Sequence, residues 1–140
     1  MRLPFLHKVA VKKITGDATG PEREQAETII RSVLGELPEL IAAAVVDISS
    51  GKTLVAYTTQ SSFDLYKISS RNAELIRTTH RMLLAPWLEN QQLADLVVLL
   101  EDQLHCLRTT SDQRWLCYVA VRSADANMAL VREVMRRCAA

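Results

Sequence analysis

From residue 21 onward, apolar positions return about one helical turn apart. In PEREQAETIIRSVLGELPEL the residues Ala26, Ile29, Ile30, Val33, Leu34 and Leu37 fall on one stripe, with Pro21 suited to a first turn and Pro38 to a stop. The spacing then shortens. Residues 41–47 (IAAAVVD) and 53–59 (TLVAYTT) are apolar or β-branched runs separated by Ile48-Ser49-Ser50-Gly51-Lys52, which predicts a hairpin. Helical spacing resumes at Leu65, Ile68, Leu75, Ile76, Met82 and Leu83. Ser61 and Asp64 stand at capping-box spacing and Ala85-Pro86 closes the pattern, so the helix is expected over about residues 62–85. The unbroken run Leu96-Val97-Val98-Leu99-Leu100 reads as a fully buried strand. Strands at 104–110 and 115–121 come next, joined by Ser111-Asp112-Gln113-Arg114, and the three form a meander. Ser123 is placed to cap a last helix with Met128, Val131, Val134, Met135 and Cys138 inward and Arg132, Arg136 and Arg137 outward or near its positively favoured C-terminus.

The order is therefore α-β-β-α-β-β-β-α. Near-continuous apolar strands require a sheet covered on both faces, and three amphipathic helices supply the covers, which predicts an antiparallel α/β sandwich. A chain of 140 residues, 49% of them apolar, has room for one such core. Residues 21–140 are assigned to it. Residues 1–20 form an N-terminal arm in which Arg2, Lys8, Lys12 and Lys13 alternate with apolar residues, suited to adding or covering an edge strand or to binding something.

A net charge of +1 gives no general pull toward nucleic acid or an anionic membrane, so a charged partner has to be met by a local patch. Pro4, His7 and Lys8 interrupt the first residues before an apolar run reaches signal-peptide length, and no later run approaches a membrane span, so a cytoplasmic protein is expected. Cys106, Cys117 and Cys138 lack metal-ligand spacing and read as packed thiols in a reducing compartment.

Ser49-Ser50-Gly51-Lys52-Thr53 ends as a phosphate loop does, but the loop's first glycine is replaced by Val46. The residues after Lys52 carry a strand pattern rather than a helical one, so Gly51 is read as a turn residue with Lys52 in solvent and no bound nucleotide is expected. His7, His80 and His105 have no partner at ligand spacing. Pairing across residues 111–114 puts Arg108 beside Cys117, a cation beside a thiol, but no base and orienting residue can be assigned by spacing. No acid and base pair of carboxylates stands out either. A non-enzymatic protein without cofactor or metal is expected. The second helix is more informative: its polar side carries Lys67, Arg71, Arg77, His80 and Arg81 against Glu74, which fits either an ordinary solvated face or a docking surface for an acidic partner.

The stretches Leu37-Pro38-Glu39-Leu40-Ile41-Ala42-Ala43-Ala44-Val45-Val46-Asp47, Gly51-Lys52-Thr53-Leu54-Val55-Ala56 and Ala126-Asn127-Met128-Ala129-Leu130-Val131-Arg132 resemble the roadblock/dynein light chain family, and the element order agrees over residues 22–138. The chain departs from the family in having Ala42-Ala43 where a glycine is frequent, and in its arm. The resemblance implies a roadblock/profilin-like sandwich: five antiparallel strands with one long helix on one face and the two terminal helices on the other. It implies a homodimer or a heterodimer with a paralogue, joined edge to edge through the third strand at about residues 94–101, with Leu96, Val97, Val98, Leu99 and Leu100 at the interface and the two copies of helix 2 side by side. It further implies a partner of the Ras-like small GTPase class, as in bacterial gliding-motility or polarity switches, or a scaffold in a signalling complex, with Lys67, Arg71, Glu74, Arg77 and Arg81 at the contact. The sequence supplies a physical reason for the pairing, since an apolar, proline-free edge left open is an aggregation template. A second reading is a small-molecule sensor, with Ala42-Ala43-Ala44 beside Trp115 and Tyr118 leaving room for a ligand.

Overall fold

The structure, a computed structural model, describes residues 13–140. The elements are α1 (Gly20–Glu36), β1 (Ala42–Asp47), β2 (Thr53–Thr58), α2 (Leu65–Met82), a 3₁₀ turn (Pro86–Leu88), β3 (Leu96–Leu99), β4 (Gln103–Thr109), β5 (Trp115–Arg122) and α3 (Met128–Cys138). The strands form one sheet in the order β2-β1-β5-β4-β3, every neighbouring pair antiparallel. The expected α/β sandwich is the fold observed.

Strand alternation divides the core in two. Ala43 and Val45 of β1 and Cys117 and Val119 of β5 turn to the face covered by α1 and α3, where Ile30, Val33, Val134 and Met135 meet them. Ala42, Ala44 and Val46 turn to the opposite face with Tyr118 and Ala120, under Leu65, Ala73 and Ile76 of α2. Small side chains line part of that second interface. Ala42, Ala44, Ala56 and Ala120 on the sheet and Ser69 and Ala73 on the helix are buried, so α2 can lie close to the sheet instead of leaving a cavity. The alanine run thus has a packing role.

Two helix starts differ from expectation. Asp64, not Ser61, caps α2, its carboxylate accepting from the Lys67 amide at 3.1 Å. Asn127, not Ser123, caps α3, accepting from the Leu130 amide at 2.8 Å. Spacing allows either residue in each case, but only the one at which the backbone turns into the helix can reach the free amides. The apolar stripe of α2 also divides, with Ile76 buried while Leu75 and Met82 are exposed.

The sheet has two rims, treated differently. Along β2, Thr15 and Ala56 exchange backbone hydrogen bonds of 2.9 and 2.8 Å, and the Ala18 amide donates to the Leu54 carbonyl at 3.1 Å. Gly16 permits this approach: its φ is +138°, and a Cβ there would stand 2.2 Å from the Leu54 oxygen. The Arg23 guanidinium holds the segment by donating to the carbonyls of Ile14 and Gly16, both at 3.0 Å, and Ala18 at 3.3 Å. The end of the expected arm therefore covers the β2 rim; residues 1–12 lie outside the described residues. Along β3, no described residue pairs with the outer side. No helix among the described residues is long and apolar enough to cross a membrane.

Candidate functional site

The open rim is where the structure corrects one expectation and sharpens another. Leu96–Leu100 is not fully buried within the chain: Leu96 and Val97 are half-buried, while Val98, Leu99 and Leu100 are exposed, Leu99 by 65%. An unbroken apolar run looks the same in a sheet centre as at an edge that lacks a neighbour. The Leu100 amide donates to Gln103 at 2.8 Å, closing the turn to β4. Antiparallel alternation then aims the N–H and C=O groups of Leu96 and Val98 at β4 and those of Val97 and Leu99 outward.

Just before β3 sits Asp95, whose side chain is 3% exposed. Its two oxygens accept from Arg108 of β4 and Arg132 of α3, each at 2.7 Å. Asp95 thereby fastens the start of the rim to both β4 and α3, and the trio carries a net positive charge, with Arg132 half in solvent.

The second surface is the outward side of α2. Lys67, Arg71, Glu74 and Arg81 are exposed there, whereas Arg77 and His80 are partly buried. Arg77 donates a hydrogen bond to the Ile48 carbonyl, which ties the helix to the end of β1. The hairpin turn lies against the same helix, since a Cβ on Gly51 would be 3.7 Å from Ser70. Lys52 is the next residue of that turn and is exposed, a placement next to α2 that sequence spacing could not supply. Among the described residues, Arg23, Arg31, Arg108, Arg114, Arg122, Arg132, Arg136 and Arg137 all have carboxylate partners. Those without one are Lys13, Lys52, Lys67, Arg71, Arg77 and Arg81, so all but Lys13 gather on α2 and the adjoining turn.

Sequence reasoning missed the segment just beyond α2. Leu84 and Trp87 are 82% and 80% exposed, next to exposed Met82. Large apolar groups within a proline-containing connection were the available signal, and they lie outside the helical period that defined the helix. Exposed aromatic area of this kind is enriched at interfaces.

The remaining chemical candidates are structural. Gly51, at φ +77°, takes the turn position, and Asp47 accepts from Ser49 and Ser50, whose hydrogen bonds hold its carboxyl below the usual range. Thr53 opens β2, so no helix N-terminus faces this turn. Cys106 and Cys117 are buried free thiols pushed up to about 12 by desolvation, which removes the thiolate that nucleophilic chemistry needs. His105 on β4 bonds the Tyr118 hydroxyl at 3.1 Å and Gln103 at 2.8 Å, with its proton affinity lowered by burial. Among the described residues no three His, Cys, Asp or Glu side chains converge as a metal site requires.

No family model and no curated protein matches this chain. Solved structures do. The chain is similar to an MglB in a tetrameric arrangement (17% identity, 89% of this chain and 90% of that one, TM-score 0.72). It is also similar to the gliding protein MglB of Thermus thermophilus (16% identity, 89% and 90%, TM-score 0.70). A third likeness is to a roadblock/LC7 domain from Streptomyces avermitilis (12% identity, 79% and 88%, TM-score 0.66). At these identities the likeness establishes the fold: the chain has the roadblock/LC7 architecture.

Proposed function

We propose that this roadblock-fold chain is a non-enzymatic interaction module of the cytoplasm. It pairs through β3 with a second copy or a paralogue and presents α2 to an acidic partner of the Ras-like small GTPase class. Any effect on GTP hydrolysis is exerted in the partner's site. The observation that carries the partner surface is the segregation of cations. Eight arginines elsewhere on the described chain each have a carboxylate within ion-pair distance, while Lys52, Lys67, Arg71, Arg77 and Arg81, on one helix and its neighbouring turn, have none. Unneutralised charge of one sign steers encounter with an oppositely charged surface and fixes orientation. The assembly is supported by the bare rim of β3 and by the tetrameric arrangement named for one structural relative.

The ligand-sensor reading is weaker, because the space beside the alanines is filled by α2, and Trp115 lies on the opposite face from Tyr118. The test is a combined Lys67→Glu, Arg71→Glu, Arg81→Glu variant, sparing Arg77 because of its bond to Ile48. Binding to the Ras-like GTPases of the same genome, loaded with a non-hydrolysable GTP analogue, is expected to be lost while sedimentation is unchanged. Binding at native strength would remove α2 from the proposal.

A further inference from the structure

The connection from α2 to β3 leaves large apolar side chains in water. Met82, Leu84 and Trp87 are 58%, 82% and 80% exposed within six residues of chain. A single exposed leucine is ordinary, whereas a group of large apolar side chains marks a site of interaction. The other tryptophan, Trp115, is buried.

The backbone holds this group in place. Successive turns run on from the helix: the Leu84 amide donates to the Arg81 carbonyl at 3.1 Å, Ala85 to Met82 at 3.2 Å, Leu88 to Ala85 at 2.9 Å and Gln91 to Leu88 at 2.9 Å. Pro86 opens the 3₁₀ turn, and its ring fixes the φ that precedes Trp87. Further on, Leu93 and Leu96 pack against the core that α2 covers, which keeps the connection in the layer of that helix. A side chain on a backbone already held has less freedom to lose on binding, and tryptophan supplies large contact area with few rotatable bonds.

Charge decides what kind of surface fits. From Leu65 to Gln91 the chain carries Lys67, Arg71, Arg77 and Arg81 against Glu74 and Glu89, four cations to two anions. Arg81 adjoins Met82 and donates to the Thr78 hydroxyl at 3.0 Å, with no carboxylate beside it. A wholly apolar partner would strip water from such cations and return nothing, and the α2 surface of a second copy would repel them. Carboxylates around an apolar pocket satisfy both parts.

Resting on the partner surface proposed above, we infer that Trp87 and Leu84 are the apolar anchor of the α2 docking surface, and that the partner recognised there presents an apolar pocket edged by carboxylates. The cations steer the encounter, and the anchor slows dissociation. An acidic surface without the pocket is met but not retained, so the anchor sets which acidic partner is kept.

Two measurements test this with each Ras-like GTPase of the same genome, loaded with a non-hydrolysable GTP analogue. In binding kinetics, Trp87→Ala and Leu84→Ala are each expected to raise the dissociation rate about tenfold to a hundredfold, with the association rate and its salt dependence unchanged. Both side chains are exposed, so their truncation leaves the fold intact. The Lys67→Glu, Arg71→Glu, Arg81→Glu variant should instead slow association. Native dissociation rates in both truncated variants would overturn the anchor, and a charge variant that still lost binding would leave the α2 reading standing without it. A native protein that binds none of these GTPases would defeat both. Fluorine NMR of protein carrying fluorotryptophan reads the same site directly, the Trp87 signal being the one absent from Trp87→Phe. It should show a solvent isotope shift in the free protein and move when the GTPase is added, while the Trp115 signal stays. A Trp87 signal already shielded from solvent in the free protein would show a second copy covering it and would overturn the proposal.

Discussion

Proline at the rim separates assembly from folding. In Leu99→Pro the lost amide is one that points away from β4, so every hydrogen bond inside the sheet survives. In Val98→Pro the lost amide belongs to the β3–β4 ladder, and the fold itself is damaged. For the first variant the cost is expected to fall on the proposed dimer. Leu99 is 65% exposed in the single chain, and full burial of a leucine contributes about 1.5–3 kcal/mol, so its share is roughly 1–2 kcal/mol per copy and about 2–4 kcal/mol per dimer. Two missing inter-copy hydrogen bonds add about 1–3 kcal/mol. A total of roughly 3–7 kcal/mol weakens association by about two to five powers of ten. Sedimentation velocity over a wide concentration range, with circular dichroism of the same samples, reads both effects. Leu99→Pro should be a folded monomer and Val98→Pro a chain of lowered melting temperature. A Leu99→Pro protein that dimerises like the native one would refute pairing through this strand.

Other parts of the fold carry their own expected outcomes. Gly16→Ala forces a Cβ onto the Leu54 carbonyl at a positive φ, and is expected to cost about 1–3 kcal/mol in chemical denaturation and to expose the β2 rim to hydrogen exchange. His105 has its proton affinity lowered by burial, so the folded state binds its proton less readily than the unfolded one. Its contribution is complete above about pH 6.5 and declines as pH falls through the window below it; a pH series of thermal melts should show that decline, and His105→Gln should lack it. Thiol alkylation of the native protein should mark Cys138 first, with Cys106 and Cys117 reacting only on unfolding; rapid native labelling of Cys117 would revive a nucleophilic role.

The order of elements and the rejection of a phosphate loop were legible in the sequence, because hydrophobic period and turn chemistry act between neighbours along the chain. The hairpin at Asp47–Thr53 needs only its serines and Gly51, and the pairing of Arg108 with Cys117 needs only the length of the turn before Trp115. Cap identity was less legible, since Ser61 and Asp64, or Ser123 and Asn127, differ only in where the backbone turns into the helix.

The features that the pattern could not decide depend on contacts between distant residues. Leu96–Leu100 has the composition of a central strand, and family resemblance, not period, pointed to an edge; only the order β2-β1-β5-β4-β3 leaves it with one neighbour. The cationic surface likewise emerges by subtraction. Arg132 reaches Asp95 across 37 residues and Arg137 reaches Glu36 across 101, and such pairings determine which charges stay unpaired. Spacing along a chain reports which side chains share a face, whereas which of them are already satisfied is settled only when remote segments meet.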